Sequence, residues 1–338
     1  MKRSLIFAIC LLLTSFTLPL AICTSPATAA ATEAPAASSA PTQLTELPAP
    51  AEAERIAVLA DGVSTQMTLE EVVEAIVAAE MPALFPEEAL RAQAIAARTY
   101  LCYRALHPVA VHPSEVICDN PAHCCALADL NALAAGWGEQ GSTYADRIRD
   151  AVSSTAGQIL TYADAPILAV FHAMSAGTTN SSADVWGGSV PYLVSVAAPE
   201  GEAELSGWSQ SVVFDAEEFR RMFVQRYPDA VLNDGTDWFT AFDRTEGGLV
   251  RTVCVGGVSV TGGTLRSLCG LRSASFTVTQ GSGRIRFDTQ GYGHGVGMSQ
   301  NGAKVLALDG YDADRILAYY YPGTTPAAAA DVLPGYAG

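Results

Sequence analysis

An α+β fold is predicted by this chain: one mixed helix–strand domain over residues 55–338, with room for a smaller inserted subdomain. Three observations predict it. Apolar residues recur at helical spacing in two neighbouring segments near the start of the domain, 68–80 and 86–106. Short strand-like runs, bounded by glycine and proline, come later, from residue 158 onward. The chain has no internal repeat and no coiled-coil heptads.

At 338 residues the chain is long enough for one large domain or two small ones with an ample core. Its formal net charge is -16, and its only lysines are Lys2 and Lys304. So acidic a chain lacks the electrostatic footprint of a nucleic-acid binder, and charge does not draw it to an anionic membrane surface.

Residues 1–30 are a targeting segment. Lys2-Arg3 precedes an apolar stretch from Leu5 to Cys23, and Ala27-Thr28-Ala29 forms a cleavage-like triplet. The stretch is near the minimum for a membrane span, so a cleaved signal peptide and a retained anchor both fit. A lipid anchor at Cys23 fits less well, because bulky Ile22 precedes it. On either reading the body of the protein is exported, whether secreted or held at the cell membrane. Residues 31–54 are rich in Ala, Pro, Ser and Thr and read as a flexible linker.

Within the domain, Thr68-Leu69-Glu70-Glu71 has the form of a capping box, placing a helix start at Thr68. Pro82 ends that helix at about Glu80. Pro86 suits the first position of a second helix, which runs to about Leu106 and carries Ala89, Ala92, Ala94, Ala96 and Ala97 for close packing. Glu87 and Glu88 then sit at a helix N-terminus, which favours negative charge, whereas Glu80 sits at a C-terminus, which opposes it. A proton-donating carboxyl needs the second setting. Glu80 is therefore the candidate general acid.

His112, Cys118, His123 and Cys124 follow the second helix, with Cys125 adjacent. Two imidazoles and two thiolates are a tetrahedral zinc set. In an exported chain a disulfide from Cys118 to Cys124 or Cys125 is an equal alternative. Cys102 reads as a core thiol, His107 as surface, and Cys254 and Cys269 as a pair or as buried thiols.

Further on, a helix is expected over 143–155 and strands over 158–162, 166–172 and 191–196. A polar loop between the last two ends in Asp184-Val185-Trp186-Gly187, suited to a sugar-binding wall or to an ordinary surface loop. A helix over 214–227, a strand over 249–255 and a hairpin about Gly281-Ser282-Gly283 come next. Alternate glycines from Gly291 to Gly297 imply close backbone approach, either to a ligand or to another part of the chain. They do not form a dinucleotide fingerprint. A helix to Leu308, a shorter one, and Tyr319-Tyr320-Tyr321-Pro322 close the pattern.

With these residues in order, the chain resembles the stage II sporulation protein D family, lytic transglycosylases that are related to amidase enhancers. The resemblance spans roughly residues 55–325. It rests on Ala79-Glu80-Met81-Pro82, Glu88-Ala89-Leu90, Ala92 to Tyr100, Asp184 to Gly187, Gly270-Leu271-Arg272-Ser273 and Gly293 to Gln300. It implies cleavage of peptidoglycan glycan strands, preferably ones stripped of stem peptides by an amidase, leaving 1,6-anhydro-muramic acid ends. The family's catalytic glutamate carries over to Glu80. The resemblance also implies zinc on His112, Cys118, His123 and Cys124, structural or near the active site. It implies a glycan groove around His172, Ser175, His294, Ser299 and Gln300, with Gln93 and Arg98 as further lining. Expected partners are the glycan strands, a cell-wall amidase and membrane proteins of a sporulation engulfment complex.

A single carboxylate suits this chemistry. Hydrolysing glycosidases generally need two, whereas attack by the sugar's own 6-hydroxyl needs no activated water. Two rivals stand beside it. One is a zinc hydrolase, disfavoured if all four ligand positions are filled by protein. The other is a glycan-binding module that only stimulates an amidase.

Overall fold

The computed structural model describes residues 55–201 and 207–333. The targeting segment and linker expected over residues 1–54, with the anchor alternatives at its start, lie outside the described residues. No helix among the described residues is long and apolar enough to cross a membrane.

A hairpin outside the expected elements opens the domain: β1 (Arg55–Ala60) pairs antiparallel with β2 (Val63–Thr68) across Asp61-Gly62, both at positive φ, a dipeptide suited to a two-residue turn. Thr68 caps α1 (Leu69–Glu80), its hydroxyl accepting from Glu71 N–H while the Glu71 carboxylate accepts from Thr68 N–H, the predicted capping box. Leu69, Val72, Val73, Ile76 and Val77 are all buried. The next helix, α2 (Glu87–Leu106), follows Pro86, and the five alanines expected to permit close packing are fully buried. β3 (Ile117–Cys118) runs parallel to β1. Then come α3 (Leu130–Gly136), α4 (Gly141–Ser154) and β4 (Gln158–Tyr162).

The expected strand over 166–172 is broken into β5 (Ala165–Pro166) and β6 (Phe171–His172). The expected strand over 191–196 does not form. Its Tyr192 and Leu193 are buried, and single hydrogen bonds tie it down, such as Ser182 N–H to Leu193 O at 2.9 Å. A six-residue apolar run signals burial but not pairing, which accounts for both differences. Between these runs lies α5 (Ser182–Trp186), closed by Gly187 in the left-handed region at φ 77°.

Residues 208–290 make a separate core. Its elements are β7 (Ser209–Asp215), α6 (Ala216–Arg226), β8 (Phe239–Arg244), β9 (Val250–Val255), β10 (Val258–Thr261), α7 (Gly262–Cys269), β11 (Phe276–Gly281) and β12 (Arg284–Gln290). They form two three-stranded antiparallel sheets, ordered β11-β12-β7 and β10-β9-β8. The helix expected from Phe214 starts two residues later, because Phe214 and Asp215 complete β7 and Asp215 caps α6.

The chain then returns to the first core through β13 (Met298–Ser299), α8 (Gln300–Leu308), α9 (Ala313–Tyr320), β14 (Thr325–Ala328) and α10 (Ala329–Val332). β13 lies parallel to β6, with Ser299 opposite His172, and β14 pairs with β4. The alternate glycines lead into β13, all with positive φ. A Cβ on Gly293 would fall 2.7 Å from the His172 Cβ, and one on Gly297 would fall 2.1 Å from Val170 O. At these positions the close approach is to other parts of the chain, and Gly293 also lines a cavity together with Glu80 and His172.

Candidate active site

A cavity of about 480 Å³ opens where the end of α1, the Cys/His loop, β6, the glycine-rich segment 291–297 and α7 meet. Glu80, the last residue of α1, lines it and is half-buried. Its Oε1 accepts from Ala126 N–H at 3.0 Å, and its Oε2 accepts from Gln300 Nε2 at 3.4 Å. Gln300 Nε2 also lies 3.5 Å from Gln93 Oε1. Gln93 is wholly buried with no partner on its Nε2, so it backs Gln300 and does not line the cavity.

His172 and His294 line the same cavity, their ring centres 5.7 Å apart. The backbone fixes both tautomers. His172 Nδ1 faces Val296 O at 3.2 Å, and a carbonyl only accepts, so Nδ1 carries the proton. His172 Nε2 then accepts from the Ser175 hydroxyl at 2.8 Å. His294 Nδ1 accepts from Val296 N–H at 3.0 Å, which leaves its proton on Nε2. Burial pulls the pKa of His172 down to about 3, helped by His294, and that of His294 down to about 4, helped by Arg266. Both rings are therefore neutral near pH 7. Trp186, 48 % exposed, lies 5.4 Å from the His294 ring, and Tyr292, 46 % exposed, lines the cavity.

Besides Gln93, three more residues expected at the groove are elsewhere. Arg98 is fully buried and spends its guanidinium on Glu70, at 2.6 and 2.7 Å, and on the carbonyls of Val152 and Gln158. It braces α2 against α1 and never reaches the cavity. Ser299 is fully buried as the N-cap of α8, where it donates to Glu200 Oε1. Ser175 is buried behind His172, which it orients. Nothing in the amino-acid pattern marks Glu200, which is 3 % exposed and accepts from Ser175 N–H at 2.8 Å. Arg266, on a helix the sequence did not predict, lines the cavity and was equally invisible.

The Cys/His cluster assembles beside this cavity. The ligand atoms of His112, Cys118 and Cys124 lie within 4.8 Å of one another, with His112 Nε2 3.3 Å from Cys124 Sγ. His123 Nδ1 is 4.0 Å from Cys118 Sγ, outside that tight group but adjacent to it. Glu115 O accepts a hydrogen bond from His112 Nδ1–H at 3.2 Å, which turns the Nε2 lone pair toward the thiols, the arrangement a metal-bound imidazole requires. Cys118, Cys124 and Cys125 are free thiols, so neither anticipated disulfide is present, and Cys254 and Cys269 are likewise unpaired. The residues fit a tetrahedral soft-metal site. Two residues beyond Cys124, the same loop delivers Ala126 N–H to Glu80.

Residues 61–162 match the family model for stage II sporulation protein, SpoIID. The chain is 36% identical over 270 residues to stage II sporulation protein D of Bacillus subtilis, covering 79% of this chain and 77% of that protein. It is 34% identical over 269 residues to the Bacillus amyloliquefaciens protein of the same name, covering 79% and 76%. An amidase enhancer of Bacillus subtilis is 25% identical over 296 residues, covering 73% of this chain and 39% of that protein. This chain belongs to the stage II sporulation protein D family.

Proposed function

We propose that this protein is a peptidoglycan lytic transglycosylase that cleaves glycan strands, with Glu80 as its acid and base. One observation carries the reading: among the described residues, Glu80 is the sole carboxylate lining the cavity. Hydrolysis at a glycosidic bond calls for two carboxyl groups, one to protonate the leaving oxygen and one to activate water or attack. With one, the nucleophile is the substrate's own 6-hydroxyl. Glu80 gives its proton to the glycosidic oxygen as the C1–O bond breaks. The 6-oxygen bonds to C1 and its proton passes to the Glu80 carboxylate, which restores the acid and leaves a 1,6-anhydro ring. Ala126 N–H and Gln300 aim the carboxyl. The neutral His172 and His294, held by bonds within the protein, shape the cavity wall without adding a fixed charge.

Zinc is part of the proposal. His112, Cys118 and Cys124, with His123 alongside, would hold it, and when bound it would lock the loop that ends at Ala126. Export through the N-terminal segment to the cell-wall side of the membrane belongs to the same reading. So do an amidase that prepares the strands and membrane partners in sporulation. A second reading, a glycan-binding enhancer without catalysis, is favoured by the amidase enhancer relative.

The test is digestion of stem-free glycan strands by the full chain and by Glu80→Gln, read by mass spectrometry. Anhydro ends from the unmodified chain, reduced about a thousandfold or more in the variant, are expected (a general acid alone contributes about 10²–10⁴-fold). Reducing ends would mean hydrolysis. No cleavage, with amidase stimulation undiminished in Glu80→Gln, would establish the enhancer.

A further inference from the structure

Arg266 is the one cationic side chain lining the cavity among the described residues, both histidines there being neutral near pH 7. It sits on α7 of the inserted lobe, half-buried. Arg91, Arg98, Arg149, Arg220, Arg251 and Arg286 each meet a carboxylate of the protein. The half-buried Arg104, Arg147, Arg244 and Arg272 lack an ion pair but bond to a tyrosine hydroxyl or to backbone carbonyls, whereas Arg266 makes neither an ion pair nor a side-chain hydrogen bond with any described residue. Burial without a carboxylate nearby pulls its pKa down from the ordinary arginine range, and the Tyr292 side chain only partly opposes this. Its charge also helps hold His294 and His172 neutral, so it stands on the imidazole side of the cavity. A half-buried guanidinium left unmatched over an open cavity is a site for a carboxylate or similar oxyanion.

We infer that Arg266 binds the free lactyl carboxylate on C3 of the muramic ring whose C1 is attacked, and so selects strands from which the stem peptide has been removed. The inference rests on the transglycosylase reading. One ring carbon separates C1 from C3, so a ring with C1 at Glu80 carries its lactyl group inside the same cavity. While the stem peptide is attached, that carboxyl is a neutral amide and offers no charge to the guanidinium. Amidase cleavage of the amide creates the anion. The reaction that must supply this substrate is therefore hydrolysis of the lactyl amide.

The experiment compares three glycans with the full chain. One has free lactyl carboxylates, one has the same carboxylates converted to methylamides, and one retains its stem peptides with their own terminal carboxylates. Anhydro-end formation is followed as kcat/KM. The unmodified chain is expected to prefer free lactyl strands over methylamides by about ten- to a hundredfold, the range of one charge-assisted contact. Arg266→Met is expected to collapse that ratio to about one, and Arg266→Lys to recover part of it. Equal rates on the free acid and the methylamide by the unmodified chain overturn the inference without recourse to any variant. A ratio preserved in Arg266→Met overturns it too. Peptide-bearing strands cleaved as well as free lactyl strands would assign the anion to the peptide instead. Should no glycan be cleaved, the transglycosylase reading fails by itself, and the affinities of the chain for the free acid and the methylamide still decide Arg266: equal affinities refute it.

Discussion

Among the fully buried side chains of the helical lobe are Gln93, Arg98 and Thr99, whereas those of the inserted lobe include Phe219, Phe223 and Phe287. In the helical lobe, polar groups are taken inside and most are tied, Gln93 Nε2 being an exception. Arg98 meets Glu70, and Thr99 Oγ1 donates to Ile95 O at 2.7 Å while accepting from Leu160 N–H at 2.9 Å. In the inserted lobe, Phe219 alone stacks or tilts against Phe214, Phe223, Trp238, Phe239 and Phe287, all within 6.2 Å. No charged side chain is buried there among the described residues. The difference separates two tasks. Orienting a carboxyl such as Glu80 needs directional bonds, and those need buried polarity. Presenting Arg266 at the rim needs only a firm platform, which aromatic packing supplies.

The sharpest way to break this contrast is to damage each lobe in its own currency. Arg98→Met leaves Glu70 without its partner, and breaking a buried ion pair by one side costs about 3–5 kcal/mol. Phe219→Ala costs about 3–5 kcal/mol through cavity formation. In urea, followed by tryptophan fluorescence and far-ultraviolet dichroism, Arg98→Met is expected to lower the transition of the helical lobe. Phe219→Ala is expected to give a separate, earlier transition reported by Trp238, which packs on Phe219. One coincident transition in both variants would mean the lobes are a single cooperative unit, and the division of tasks would lose its energetic basis.

The helical lobe was the more legible of the two. Capping box, Pro82, Pro86 and the alanine pattern act within a few residues of one another, so α1, α2 and the position of Glu80 could be read directly. The four metal-type residues fall within thirteen positions, 112–124, and the fold gathers His112, Cys118 and Cys124 with His123 alongside. What could not be read was direction. Ser175, Ser299 and Arg98 were grouped with His172 and Gln300 as groove residues, yet their side chains turn inward to His172, Glu200 and Glu70. Only the tertiary fold decides which side of a backbone faces the cavity. The glycines were ambiguous for the same reason, because close approach is visible in sequence but its object is not. Arg266 and Glu200 depend on contacts from remote parts of the chain and left no local trace.

Metal removal comes next in expected size. A bound metal at a hundredfold excess over its Kd stabilises by about 2.7 kcal/mol. Chelation of the full chain should lower the unfolding free energy of the helical lobe by about that much and leave the inserted lobe where it was. Cys124→Ser should reproduce the shift and abolish sensitivity to the chelator. A chelator without effect on the unmodified chain would remove zinc from the account and leave the thiols as plain packing.

Acid should also act on one lobe. The folded pKa of His172, about 3, and of His294, about 4, lie below the unfolded value near 6.5. Between these values the unfolded chain binds protons that the folded chain does not. Stability is therefore fully present above pH 6.5 and falls as pH drops toward 4, by up to about 1.4 kcal/mol per pH unit for each histidine. His172→Gln and His294→Gln should each flatten the slope measured by urea titrations across that window. An unchanged slope in both variants would mean that other groups carry the acid sensitivity.

Trp186 offers the mildest test, beside the cavity residue His294. Its ring is half-exposed, rests beside His294, and is carried on the short α5, closed by Gly187. An aromatic face in such a place contributes about 0.5–1.5 kcal/mol beyond the area it covers. Trp186→Ala should thus raise KM for stem-free glycan by roughly two- to tenfold. The value of kcat should hold, since the contact is as strong before the transition state as within it. Binding to the same glycan by Glu80→Gln and by Glu80→Gln with Trp186→Ala gives the same ratio without turnover. If kcat falls as far as kcat/KM instead, the tryptophan is holding His294 in place for the reaction, and the wall of the groove belongs to the catalytic machinery.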